Sequence, residues 1–360
     1  MKLFLCGDVM TGRGIDQILP HSCSPELHEQ YVDSALEYVA LAEQLNGPIP
    51  RQVGFDYVWG AALDLLADAR PDVRIINLET AITDRGHPFP KGINYRMHPG
   101  NTPVLQAAEI DCCVLANNHV LDWGEVGLRD TLDALSSAGI LFAGAGSNRS
   151  DAEAPATISV SEGRVLVFAF GSQDSGVPLS WHATAAAPGV CVLQDFSMQT
   201  ASRIGTRIQS ARSQGDVVVV SLHWGGNWGY EIPHEHRRFA HALIDQGCVD
   251  IVHGHSSHHP RAIELYRGRL ILYGCGDLLN DYEGIRGYAS YRDDLALLYL
   301  PTLDTTGQLL QLELIPLRIQ RFRLNLPSGS DREWLRQMLD RECRKYGHHV
   351  NAVDDGFRLA

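Results

Sequence analysis

The sequence predicts a layered α/β protein, and three observations predict it. Short apolar, β-branched runs recur through the first 280 or so residues. Stretches with apolar residues at three- and four-residue spacing separate them. Polar residues able to do chemistry stand where the runs stop. Each run has the length of a buried strand, and each stretch that of the helix returning the chain to the next strand.

Lys2–Cys6 is the first run and stops at Gly7-Asp8. A polar loop, Pro20–Pro25, follows Gly12-Arg13-Gly14, and helical spacing then occupies Ser34–Leu45 and Val58–Ala69. Arg74–Ile76 stops at Asn77-Leu78-Glu79, where strand alternation puts Asn77 and Glu79 on one face. Cys112–Ala116 stops at Asn117-Asn118-His119, and the helix Gly124–Ser137 ends at Ala138-Gly139. Ile140–Ala143 precedes Gly144-Ala145-Gly146, which lacks the spacing of a nucleotide-binding loop. Gly171–Pro188, rich in glycine, proline and small residues without a period, predicts a mobile lid.

Beyond it, helical spacing returns in Ala201–Ser213 and His236–Gln246. Val217–Leu222 stops at His223-Trp224-Gly225, and Ile251-Val252 runs into His253-Gly254-His255-Ser256-Ser257-His258-His259-Pro260. Leu270–Tyr273 leads to Gly274-Cys275-Gly276-Asp277. Leu295–Pro301 and Leu309–Pro316, joined by Thr305-Thr306-Gly307, predict a β-hairpin. Ser330–Tyr346 predicts a charged amphipathic helix, and the last dozen residues a loosely held tail. One domain is expected over residues 1–325, with a helix and tail over 326–360.

With 44% apolar residues the chain can bury a large core. Its 43 acidic and 30 basic residues give a net charge of −13, which argues against a nucleic-acid partner gripped through its phosphates. The eight cysteines form no CxxC pair, and Cys112-Cys113 sit inside an apolar run, where thiols behave as small hydrophobes. A reducing compartment is expected. The chain enters its first strand with no basic and apolar leader and has no apolar stretch near the roughly 20 residues of a membrane span, so it reads as cytoplasmic.

In open α/β sheets ligands bind beyond the carboxyl ends of the strands, so Asp8, Glu79, Asn118, His119, His223, His255 and His258 are expected to converge. Carboxylates, a carboxamide and imidazoles suit one or two divalent ions: Mn²⁺, Zn²⁺ or Fe, with Mg²⁺ and Ca²⁺ also compatible. Four imidazoles within His253–His259 crowd one another unless a metal holds them neutral. His119 suits a general acid, with Asp122 orienting it. Arg13 offers a bidentate grip on an anion, and Lys91, Tyr95, Arg96, Trp224, Trp228 and Glu231 are expected to line the same pocket. This local positive charge predicts an anionic small-molecule, peptide or polymer substrate. Asp277 or Asp281 is expected behind the ligands.

The motifs Gly-Asp-x-Met-x-Gly-Arg (from Gly7), Asn-Leu-Glu (Asn77), Ala-Asn-Asn-His-x-x-Asp-x-Gly-x-x-Gly-Leu (Ala116), His-Trp-Gly (His223) and the Gly-His…His-Pro segment (Gly254) occur together in this order. In them the chain resembles the CapA-type poly-γ-glutamate synthesis proteins, which are similar to the calcineurin-like metallophosphoesterases, over roughly residues 2–300. The resemblance implies a four-layer αββα sandwich with a metal centre at the strand ends. It implies Asp8 as bridging ligand, Glu79 and His258 on one ion, His223 and His255 on the other, Asn118 as amide ligand and His119 as leaving-group acid. The reaction it implies is hydrolysis of a phosphoester or of a γ-glutamyl-type amide polymer, with a metal-bound hydroxide as nucleophile. Where that superfamily has Asp-x-His, this chain has Asp8-Val9-Met10. The missing imidazole motivates an alternative: a protein that binds or modifies, for example epimerises, a peptide or poly-γ-glutamate without cleaving it.

Overall fold

The computed structural model describes residues 1–161, 163–285 and 287–360. Two mixed sheets carry the fold. The ten-stranded sheet runs Val350–Ala352, Phe357–Leu359, Leu309–Ile319, Leu295–Leu303, Leu3–Val9, Val73–Leu78, Cys112–Val114, Leu141–Ala143, with Asp277–Leu279 also paired to Leu3–Val9 and Leu324–Asn325 to Leu309–Ile319. The seven-stranded sheet runs Val192–Leu193, Gly163–Ser172, Val217–His223, Ile251–His255, Arg269–Leu272, Ile263–Tyr266, with Ala156–Val160 added to Gly163–Ser172.

Alternation along the strands builds the layers. Val165, Val167, Val217, Val219 and Ile251 belong to one continuous core with the first sheet, whose Leu5, Ile75 and Cys112 stand side by side in register. Their neighbours Leu166, Phe168, Phe170, Val218, Val220 and Leu222 turn outward onto the helices Met198–Ala211 and His234–Asp245. On the far side, Val39, Ala62, Leu66, Leu128 and Leu135 bring three further helices, Ala35–Asn46, Ala61–Ala69 and Gly124–Ser137, onto the first sheet. The order helices, sheet, sheet, helices is the αββα sandwich. All eight cysteines are buried and unbridged. Among the described residues no helix is long and apolar enough to cross a membrane.

Two expectations are corrected. The C-terminal segment is no loose tail: Phe357–Leu359 pairs with Leu309–Ile319 and with Val350–Ala352, so it widens the first sheet. The helix Gly329–Cys343 that precedes it opens on a capping box, in which the Ser328 hydroxyl and Asp331 carboxylate satisfy each other's backbone N–H groups. Residues 171–188 are likewise not a free lid. Ser172, Ser175, Val177 and Trp181 are buried, and the hydroxyls of Ser172 and Ser175 donate to the His223 carbonyl at 3.0 and 2.8 Å. The composition of that segment signalled irregular backbone, and the hydroxyl bonds hold the irregular backbone in place.

Candidate metal centre

The site lies between the two sheets at the carboxyl ends of their central strands. Register brings its residues together. Asp8 pairs with Asn77 on one side and with Asp277 on the other, and His223 pairs with His255. Gly7 must be glycine, because a Cβ there would stand 1.7 Å from the Gly276 carbonyl oxygen. Ser256, at φ 99, turns the chain between His255 and His258 at a cost of about 1–3 kcal/mol, a strain of the kind kept where a site needs it.

Asp8, His223 and His255 offer donor atoms all within 4.8 Å of one another, and so do Asp8, His258 and Asp277. Asp8 is common to both groups. Its Oδ1 accepts from Asn77 Nδ2 at 2.8 Å, while its fully buried Oδ2 has no hydrogen-bond partner among the described residues. Burial, then the neighbouring Asp277, pushes the Asp8 carboxyl from its ordinary 3.8 up to about 7. His223 and His255 are pushed well down, chiefly by burial, so both rings are neutral, the form a metal needs. His223 Nε2 lies 3.0 Å from Asn118 Oδ1 and His255 Nε2 lies 2.8 Å from Ser221 Oγ. With those outer nitrogens donating, the two Nδ1 lone pairs face one another across 2.8 Å. Two neutral acceptors and an unpartnered carboxylate oxygen in one buried spot are a donor set whose chemistry fits a divalent ion.

The second group is more tightly self-paired. His258 Nδ1 lies 3.0 Å from Asp277 Oδ1, and its Nε2 lies 3.0 Å from Asn227 Nδ2. Burial depresses the His258 pKa, but Asp277 outweighs it and the net shift is upward. Asn280 Nδ2 donates to the other Asp277 oxygen at 2.9 Å. Asp277 is the donor that the sequence reading placed behind the ligands. Its signal was its position: like Asp8, it follows a glycine beyond an apolar strand.

Glu79 stands between the centre and His119. Its Oε1 is 3.8 Å from both His119 Nε2 and His223 Nε2, and its Oε2 accepts from Asn77 Nδ2 at 3.0 Å. It belongs to neither donor group, and Asn118 sits behind His223 as the acceptor that orients it. His119 Nδ1 lies 2.6 Å from Asp122 Oδ2, which also accepts from the Tyr95 N–H at 2.7 Å. Lys91 completes the arrangement: Nζ is 2.6 Å from Asp122 Oδ1, 3.1 Å from His119 Nδ1, and donates to the Asn118 carbonyl. Burial, then Lys91, lowers the His119 pKa to about 4 against the pull of Asp122. The ring is therefore neutral at neutral pH, its Nδ1 proton on Asp122 and its Nε2 turned toward the centre. Of the neighbouring histidines, His253 spans Ser221 Oγ and the Cys6 carbonyl, and His259 packs against Tyr230 and Tyr291.

The expected substrate wall is only partly assembled. Tyr95 packs edge-on to His119, with ring centroids 4.5 Å apart, and Trp228 stands beside His258 at 5.2 Å. Arg13 is not a free cation. Its guanidinium is buried, paired with Asp281 at 2.5 and 3.2 Å and with Glu29 at 2.9 Å, and lies over the Tyr38 ring. Arg96 lies over the Trp123 ring at 3.7 Å and reaches the Ser24 carbonyl. Neither arginine contacts Asp8, His223 or His255, so Lys91 alone of the expected cations adjoins the centre. Trp224, next along from His223, points to the opposite face, where it stacks on His236 in the outer core and donates to the Tyr273 carbonyl at 3.0 Å. Glu231 is exposed.

Comparison with known proteins agrees with the motifs. The chain is 48% identical over 354 residues to a probable polyglutamine synthesis accessory protein of Mycobacterium tuberculosis, covering 97% of this chain and 93% of that one. It is 27% identical to the PGA biosynthesis protein CapA of Bacillus subtilis, over 97% of this chain and 79% of the other. Among solved structures, a 5′-nucleotidase precursor from Thermus thermophilus superposes with a TM-score of 0.48 at 14% identity, over 88% of this chain and 54% of that one. The family profile described as bacterial capsule synthesis protein PGA_cap matches residues 2–282, and the chain belongs to that family.

Proposed function

We propose that this protein is a metal-dependent hydrolase that cleaves a γ-glutamyl-type amide in a peptide or polymer, as part of making or trimming such a chain. The observation that carries the reading is Asp8, a buried carboxylate shared by two donor groups with one oxygen unpartnered. The substrate class rests on the relatives, whose names tie them to polyglutamine and PGA synthesis. A divalent ion held by Asp8, His223 and His255, or by Asp8, His258 and Asp277, would polarise a carbonyl or lower the pKa of a water.

The chain's own residues supply the proton handling. His119 enters neutral, its tautomer fixed by Asp122, so Nε2 can take the proton that the attacking water gives up and then deliver it to the departing amine. Lys91 pairs with the Asp122 oxygen that the ring does not use, at 2.6 Å, and so holds that carboxylate in place beside the ring. The buried position between the sheets excludes bulk water, which strengthens each of these interactions.

A phosphoester is the rival substrate of the same chemistry. A non-hydrolytic role is the rival class, favoured by the word accessory in the name of the mycobacterial relative. The test is a screen of Mn²⁺- and Zn²⁺-supplemented protein on γ-glutamyl oligomers, aryl phosphates and phosphodiesters, with His119→Ala and His255→Ala alongside. Turnover of the γ-glutamyl oligomers that falls at least a hundredfold in both variants supports the proposal. Equal background from all three proteins on every substrate ends the hydrolytic reading, and turnover confined to phosphate esters replaces the substrate class.

A further inference from the structure

We propose a second binding site, for a compact organic anion with a short apolar stem, in the pocket between the sheet edge Val192–Leu193 and the helix Met198–Ala211. The pocket is a cavity of about 240 Å³. Its floor is apolar, made by Phe170, Leu193 and Ile204, and its rim carries Arg149, Arg203 and Arg207. Phe170, Leu193 and Ile204 belong to the outer core, whereas His223 and His255 project inward between the sheets. The pocket is therefore on the opposite face of the seven-stranded sheet from the metal centre, and a ligand there is not the substrate at the metal.

Charge points to the class of ligand. The chain carries a net −13, yet three arginines converge here against one carboxylate, Glu153, which pairs with Arg207 at 2.7 Å. Arg203 and Arg207 are four residues apart on one helix face, a like-charge spacing that weakens an isolated helix. Arg149 has no carboxylate within 4.0 Å among the described residues. Its Nε reaches only the Ala183 carbonyl at 3.4 Å, and its backbone N–H is fixed by the Thr184 carbonyl at 2.7 Å. Arg203 also has no carboxylate within 4.0 Å among the described residues; it donates to Thr200 Oγ1 at 3.0 Å, and that hydroxyl donates in turn to Asp195 at 2.6 Å. Guanidinium groups over an apolar floor suit a carboxylate or phosphate on a short hydrocarbon stem, because the fork grips the oxyanion while the floor takes the stem.

The test is calorimetric titration of the full chain in EDTA, which keeps the metal centre from holding or cleaving either probe, with a γ-glutamyl tripeptide and with glycerol phosphate. The proteins are wild type, the double variant Arg149→Ala/Arg203→Ala, and His255→Ala. Both arginines are exposed, so the double variant is expected to keep the wild-type melting curve, and Arg203→Lys gives a second, charge-retaining check. The expected result is saturable, salt-sensitive binding of at least one probe that weakens about tenfold or more in the double variant, less in Arg203→Lys, and is unchanged in His255→Ala. Binding of the tripeptide alone assigns a carboxylate ligand, and of glycerol phosphate alone a phosphate. Absence of saturable binding by both probes overturns the proposal. So does binding that survives in the double variant or is lost in His255→Ala. Because His255 belongs to the metal centre, failure here leaves the hydrolase reading untouched.

Discussion

Replacing Asp8 by Asn should make the metal-free protein more stable, although it removes the residue on which both donor groups depend. Asp8 is an acid whose pKa is raised in the folded state, from 3.8 to about 7, first by burial and then by Asp277. Between those values the unfolded chain has released the proton and the folded chain still holds it. Stability therefore falls as pH rises through the window and stays low above it. At 1.36 kcal/mol per pKa unit, ionised Asp8 burdens the metal-free fold by on the order of 4 kcal/mol. Asn keeps the acceptor for Asn77 Nδ2 and places a neutral amide where Oδ2 has no partner. For a chain of 360 residues one kcal/mol moves the melting midpoint by roughly 1–1.5 °C, so Asp8→Asn should melt about 4–6 °C higher than wild type in EDTA near pH 8. The gap should close by about pH 3, below the unfolded value of 3.8, where both states are protonated. Added Mn²⁺ or Zn²⁺ should reverse the order, since an ion at a thousandfold excess over its Kd adds about 4 kcal/mol to the wild type alone. Scanning calorimetry at two pH values, with chelator and with metal, measures all of this. A variant that melts below wild type in EDTA near pH 8, or metal that stabilises both proteins equally, would refute the reasoning.

Asp277→Asn should lower the metal bound per chain, read by elemental analysis, while a further His255→Ala change should remove the remainder; unchanged metal content in Asp277→Asn would exclude it as a ligand. Asp122→Asn should lower kcat by about 10²–10⁴ with little change in KM, because it releases the His119 tautomer rather than the substrate. A loss under threefold would deny His119 its proton-transfer role. Trp224→Ala should cost about 3–5 kcal/mol of stability by urea denaturation and leave KM unaltered, as befits a side chain on the outer core. Arg13→Ala should be destabilising by a similar amount, because it strands Asp281 and Glu29, and should leave substrate affinity unchanged.

What the sequence disclosed, and what it withheld, divides along the line between local pattern and long-range pairing. Asp8, His223 and His255 are legible because each stands at the end of a β-rich run, and the parallel strands of both sheets carry their ends to the space between the sheets. Trp224 was misplaced for a reason already in the sequence: it is the residue after His223, and consecutive strand residues point to opposite faces. An imidazole aimed between the sheets forces its neighbour into the helix-covered core. Arg13 was misplaced because its partners, Asp281 and Glu29, come from segments that no periodicity connects to it. A guanidinium near a site reads the same in sequence whether it is free or already neutralised. The C-terminal strands were missed because Val350–Ala352 and Phe357–Leu359 are three residues each and gain their order from pairing with a distant edge. Asp277 combines both cases. Its glycine-led strand end marked it as a relative of Asp8, but only the parallel register that sets the two side by side turns two separate carboxylates into the shared floor of one centre. That juxtaposition is unfavourable by itself, two acids buried together with one oxygen unsatisfied, and a cation held between them would relieve it.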